Sequence, residues 1–274
     1  MNHAGKHLSF QPIYLVLLPL LLLNACSATV APKSYSFDTP RFILSVGKED
    51  SLDKTLSVDP VFVQSANSIL GGVSEQVQRI IGYEPKQKVV LRLLGSKDFT
   101  AHTGAPDWTS AMYFRGEIII PYKKNKASQS DLQRALRHEY THAVIAELSN
   151  YRCPAWLDEG LAQLIEGQPN QLLGPSLREW IKTNDSLPLD WLISGFTMLN
   201  EELVPVAYGQ SLLIVRHLVN TYGMTGIRDF LRQLSRDNTE EFAFASAFNK
   251  NRDDFDKSLT ALIRAWARSN QKHP

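Results

Sequence analysis

The stretch His138-Glu139-Tyr140-Thr141-His142 decides how this chain reads. It lies inside a segment whose apolar residues recur at helical spacing: Leu132, Ala135, Leu136, Ala143, Val144 and Leu148. Ser128 or Ser130 can cap the start of that helix, and Asp131 falls in the first turn, where negative charge is favoured. The helix is expected to run to about Asn150. Helical residues four apart lie about 40° apart around the axis and one turn apart along it. His138 and His142 therefore point the same way and can share one metal ion, with Glu139 beside them. A zinc hydrolase needs two neutral imidazoles to hold the cation and a carboxylate to take a proton from water. A surface helix carrying these residues by coincidence would show the same pattern, so the flanks must supply a third ligand.

Downstream runs Pro154-Ala155-Trp156-Leu157-Asp158-Glu159-Gly160-Leu161-Ala162-Gln163-Leu164. Pro154 suits a helix start, and Leu157, Leu161 and Leu164 recur at helical spacing, which predicts a second helix from about Ala155. Glu159 lies on it, 17 residues after His142. A short turn around residues 151–153 lets the second helix fold back and brings the Glu159 carboxylate to the ion. Asp158 is the rival, turned about 100° away by one helical step. Glu159 is preferred because its neighbours Gly160 and Ala162 are small and permit close helix packing. Cys153 lies between the two helices, but a residue preceding Pro154 in a turn reads as structural rather than as a ligand.

The H-E-Y-T-H and P-A-W-L-D-E-G-L-A segments together resemble the peptidase MA-like branch of the zinc metallopeptidases, the gluzincins. The likeness continues in Ala207-Tyr208-Gly209-Gln210-Ser211 and on to Tyr222-Gly223, and covers residues of about 85–268. The spacing from the second His to the Glu is shorter than in thermolysin, a distant relative. The resemblance implies a zincin-like fold, His138, His142 and Glu159 as ligands of one Zn2+ per chain, and Glu139 as general base. It also implies a Tyr or His on a later helix that stabilises the oxyanion. Tyr208 is the first candidate by motif, with His217 and Tyr222 behind it. Asp158 and Gln163 could orient the imidazoles by accepting their remaining N–H, and the sequence does not choose between them. Residues 111–121 read as a hairpin turning at Arg115-Gly116, with residues 117–120 as an edge strand on which a peptide could lie by strand addition.

Residues 1–25 read as a signal peptide. Lys6 is the one fully charged side chain there, and residues 13–23 are an apolar run too short to span a bilayer comfortably. The run ends in Leu23-Asn24-Ala25-Cys26, which resembles the lipobox of bacterial lipoproteins and makes Cys26 the expected lipidated N-terminus. Asn24 is an unusual occupant of its position, and cleavage near Ala28 or Ala31 is the alternative. Ser27 after the cysteine points, by the Gram-negative sorting rule, to the periplasmic side of the outer membrane. With Cys26 lipidated, Cys153 has no partner for an internal disulfide.

The chain carries 29 basic and 28 acidic residues, and removing residues 1–25 takes Lys6 and no acid, leaving 28 of each. That balance gives no electrostatic case for nucleic acid as a partner. Residues 26–40, rich in Ser, Ala, Thr and Pro, are expected to form a tether. Residues 41–127 are expected to form a mixed lobe, with strands at 41–46 and 88–94 around a helix at 60–81. Residues 128–274 are expected to form a helical lobe, with helices near 177–183, 206–222, 226–235, 239–248 and 252–269 after the metal pair. The fold class is α+β, with the site in a cleft between lobes. The expected function is a lipid-anchored, zinc-dependent endopeptidase or related amide hydrolase of the bacterial envelope, acting on a peptide or protein. The competing readings are a non-catalytic zinc-binding lipoprotein that serves as an assembly or regulatory factor, and a metal-independent binding module.

Overall fold

Short runs of β-branched and aromatic residues build a five-stranded sheet: β1 (Tyr35–Asp38), β2 (Phe42–Val46), β3 (Val89–Gly95), β4 (Met112–Phe114) and β5 (Glu117–Tyr122). The structure is a computed structural model that describes residues 35–38, 42–46, 60–105, 109–122, 128–167, 170–196, 198–269 and 274. The signal peptide and Cys26 lie outside the described residues. Strand order is β1-β2-β3-β5-β4. The three inner strands are parallel, and β1 and β4 close the two edges antiparallel. Tyr35–Asp38, expected within the tether, are β1, and Asp38 is ion-paired with Lys88.

The edge strand differs from expectation. Ile118, Ile119 and Ile120 are all buried, because β5 lies between β3 and β4 with both faces covered. A continuous apolar run marks such an interior strand, whereas a half-exposed edge would alternate. The edge belongs to β4. The hairpin itself is as expected: Arg115 and Gly116 have φ of 50° and 87°, and a two-residue turn of this hand requires positive φ at both positions.

Helix α1 (Pro60–Ile81) buries Ala66, Leu70, Val73, Val77 and Ile81, spaced three or four apart, against the sheet face that carries Leu91, Leu93, Ile118 and Ile120. The other face holds Leu94 and Ile119 beneath Phe99 of α2 (Ser96–Thr103), a short helix without a strong apolar period. Helix α3 (Gln129–Ser149) crosses the sheet beside α1 and β4. Ser128 is its cap, accepting from the Asp131 N–H at 3.2 Å, and Asn150 ends it in the left-handed conformation. Helix α4 (Ala155–Glu166) follows, then α5 (Leu173–Ile181), a 3-10 turn at Leu189–Leu192, α6 (Val204–Leu234), α7 (Glu240–Phe248) and α8 (Arg252–Ala267). The two helices expected at 206–222 and 226–235 are the two arms of α6, separated at Gly223, whose φ of 71° and ψ of 173° are not helical.

One apolar core runs from α1 and the sheet through α3 and α4 into α6, α7 and α8, so the mixed and helical parts share it. The fold is α+β. Among the described residues no helix is long and apolar enough to cross a membrane.

Candidate metal centre

Helix α3 presents His138 and His142 one turn apart, with ring centroids 4.8 Å apart and planes at 76°. Asn150 and Tyr151, both left-handed at φ 53° and 59°, reverse the chain within a few residues and return it along α4. That brings Glu159 Oε2 to 3.6 Å from His138 Nε2 and 3.9 Å from His142 Nε2. The three donor atoms all lie within 4.8 Å of one another.

The opposite ring nitrogens are tied to acids. His138 Nδ1 lies 2.9 Å from Glu166 Oε2, and His142 Nδ1 lies 2.8 Å from Asp158 Oδ1. An Nδ1–H donated to each carboxylate fixes the tautomer and leaves the Nε2 lone pairs facing Glu159. Of the two orienting groups open from sequence, Asp158 takes the role. Gln163 instead donates to the backbone carbonyls of Glu159 and Tyr208 and so ties α4 to α6. Sequence reasoning missed Glu166. Its signal was available: it follows Glu159 by seven residues, about two helical turns, which returns it to the same face.

Helix α4 is held from several sides. The Ala155 N–H donates to the Ile193 carbonyl at 2.9 Å. Trp156 Nε1 donates to Glu240 at 3.1 Å, and Arg252, itself buried, meets Glu240 at 3.2 Å and Asp190 at 2.7 Å. Gly160 faces α6 so closely that an added Cβ would lie 2.4 Å from the Ser211 carbonyl oxygen. These contacts set the rotation of α4, and with it the aim of Glu159.

The cluster attracts positive charge. Burial alone would depress the His138 pKa, yet hydrogen bonds to Glu159 and Glu166 and the Glu139 charge hold it well above the ordinary value. Burial works the same way on His142, and the Asp158 and Glu159 carboxylates overcome it, holding its pKa at about 9. Burial would raise the Glu159 pKa, but the paired imidazoles bring it below the ordinary value. The donors, two imidazole nitrogens with fixed tautomers and one carboxylate oxygen, fit a divalent zinc-type ion.

Glu139 Oε2 accepts the backbone N–H of Tyr113 at 2.6 Å, which joins the base position directly to β4. Tyr208 on α6 meets Phe196 edge-on, with centroids 4.8 Å apart. Burial raises its phenol pKa first, and the Glu159 and Glu139 charges raise it further, so the hydroxyl stays protonated within the field of the site. The two reserve candidates lie elsewhere. His217 stacks on Phe255 at 6.3 Å, and Tyr222 packs against Phe248 at 5.1 Å. His217 follows Tyr208 by nine residues, about half a turn out of phase, so it faces α8 rather than the site. Cys153 is not among the clustered donors. Burial first, then the Asp158 and Glu240 charges, pushes its thiol pKa well up, and a protonated thiol is a poor ligand.

Residues 76–265 match the model of a family described as the peptidase MA superfamily. The chain is also 23% identical over 267 residues to a Bacillus subtilis (strain 168) protein described as uncharacterized protein YhcO, covering 88% of this chain and 81% of that protein.

Proposed function

The chain belongs to the peptidase MA superfamily, and we propose that it is a zincin-like, zinc-dependent metallopeptidase that hydrolyses amide bonds in peptides or proteins of the bacterial envelope. The observation that carries this reading is the convergence of His138, His142 and Glu159, with Glu139 near enough for its charge to act on His138 and Tyr208 and bonded to the edge strand.

His138, His142 and Glu159 would hold one zinc ion per chain. When bound, the ion supplies a Lewis acid that polarises a substrate carbonyl and lowers the pKa of water towards neutrality. Glu139 takes the water's proton and passes it to the leaving amine, oriented meanwhile by the Tyr113 N–H. Tyr208, kept protonated by burial and by two carboxylates, donates to the carbonyl oxygen as negative charge develops there. Glu166 and Asp158 hold the imidazoles in the tautomer that leaves Nε2 free.

Zinc content tests the site. Purified mature wild type should carry about one zinc per chain, and His138→Ala should carry none, because two remaining ligands make a poor structural or catalytic site. A wild-type protein that is native and zinc-free, and stays so after incubation with the ion, would refute it.

The compartment is part of the proposal. The Leu23-Asn24-Ala25-Cys26 segment supports lipidation at Cys26, residues 1–25 as its leader, and attachment at the periplasmic side of the outer membrane. Cys26→Ser should abolish incorporation of labelled palmitate and release the protein from membranes. Undiminished labelling in that variant would mean that the segment is no lipobox.

A further inference from the structure

We propose that the cavity on the α2 side of β4 is a subsite for an acidic side chain of an extended peptide lying along that strand. This deepens the peptidase reading and rests on it. The cavity has a volume of about 320 Å³ and is lined by Arg92, Leu94, His102, Phe114, Arg115 and Glu117.

Its position relative to the metal centre follows from the register of the hairpin. A two-residue turn makes Phe114 and Glu117 the hydrogen-bonded pair, so Tyr113, opposite Ile118, directs its own N–H and C=O away from β5. The bond from that N–H to Glu139 agrees with this geometry. Tyr113 is thus the β4 residue that faces an added strand, with its C=O as the acceptor, since its N–H is held by Glu139. Successive side chains of a strand point to opposite faces. On β4 itself, Tyr113 packs towards the main core and α3, whereas Met112 and Phe114 pack towards the α2 cluster. A peptide paired with β4 repeats this alternation. One side chain falls on the face of Glu139 and the histidines, and its neighbour, about 3.3 Å further along, falls on the face of the cavity.

Charge selects the occupant. Glu117 is taken by Arg92 in a bidentate pair at 2.7 and 2.6 Å, so these two groups largely neutralise each other. Arg115 remains, with its guanidinium 4.9 Å above the Phe114 ring and no carboxylate partner among the described residues. His102 meets the same ring edge-on at 5.7 Å. The cavity therefore has an apolar floor of Phe114 and Leu94 beneath a rim of N–H donors carrying surplus positive charge. A glutamate side chain matches both parts, its methylenes on the ring and its carboxylate on the guanidinium fork. A lysine would be repelled.

The test uses the zinc-loaded Glu139→Gln protein and end-blocked alanine-based heptapeptides carrying a single Glu, Gln or Lys at each position in turn, with binding read by fluorescence anisotropy. At one position Glu should bind on the order of tenfold more tightly than Gln, with Lys weaker still. Adding Arg115→Asn, which keeps a residue tolerant of φ 50° at the turn, should erase the preference, and Arg115→Glu should shift it to Lys. Equal affinity for the three peptides at every position, no binding of any of them, or a Glu preference that survives both Arg115 variants would overturn the subsite. Cleavage of the same peptides by wild type judges the peptidase reading separately. Cleavage without charge preference sinks the subsite alone. An Arg115-dependent Glu preference without cleavage supports the subsite and sinks the peptidase.

Discussion

Glu139→Gln should leave about one zinc per chain in place while lowering peptide turnover roughly 10²- to 10⁴-fold, the usual share of a positioned general acid–base group. The two halves of this result have separate causes. Glutamine keeps the shape of the side chain, and its carbonyl oxygen can still accept the Tyr113 N–H that the carboxylate accepts at 2.6 Å, so β4 should stay in register. Glu139 is not among the three clustered donors, so metal affinity should change little. An amide cannot take a proton from water, so the chemical step is what suffers. Zinc content by mass spectrometry and turnover by peptide release, measured on one preparation, separate the two effects. Normal turnover by this variant would retire the hydrolytic reading in favour of the non-catalytic zinc-binding lipoprotein.

Gly160→Ala should destabilise the fold by about 2 kcal/mol net and weaken zinc binding as well. Alanine in place of glycine within a helix is worth up to about 1 kcal/mol in its favour. Against that, the new Cβ would lie 2.4 Å from the Ser211 carbonyl oxygen and 2.6 Å from Val215 Cγ2. The first obstacle is backbone, which cannot swing aside as a side chain can, so α4 must move off α6. Overpacking of this kind costs about 1–3 kcal/mol, towards the upper end where backbone has to shift. For a body of about 230 residues, a net loss of about 2 kcal/mol lowers Tm by about 4–8 °C. Because Glu159 is the neighbouring residue, the same displacement carries its carboxylate away from the histidines. Gly72→Ala on α1 is the contrast: its Cβ would meet nothing within 4 Å, so the propensity gain stands unopposed and Tm should rise slightly. Equal and small Tm shifts in both variants would show that the contact between α4 and α6 does not govern the site.

The local parts of the site were legible because helical geometry alone decides them. The four-residue step from His138 to His142 fixes their common face, and the short reversal expected at residues 151–153 is made by Asn150 and Tyr151. The Arg115-Gly116 turn was legible because a glycine between two apolar runs is itself a local turn signal. The edge of the sheet was not. Glu117–Tyr122 could pair on one side or both, and only its parallel pairing with β3 makes it an interior strand. His217 and Tyr222 fit the motif as well as they could by letter, yet their phase and distance along α6 give them to the aromatic core.

The proposed ligands and base could be named from the sequence, because the spacing of His138, Glu139 and His142 is fixed within one helical segment and Glu159 lies on the helix that follows it. The groups that aim them were decided by tertiary structure. Glu166 reaches His138 across 28 residues of chain, and Tyr113 reaches Glu139 across 26. Buried polar atoms must find partners, but periodicity along a segment carries no record of which distant segment will supply them. That choice is made when α3, α4, α6 and β4 pack around one core, and Gly160 is where the packing leaves no room for any other side chain.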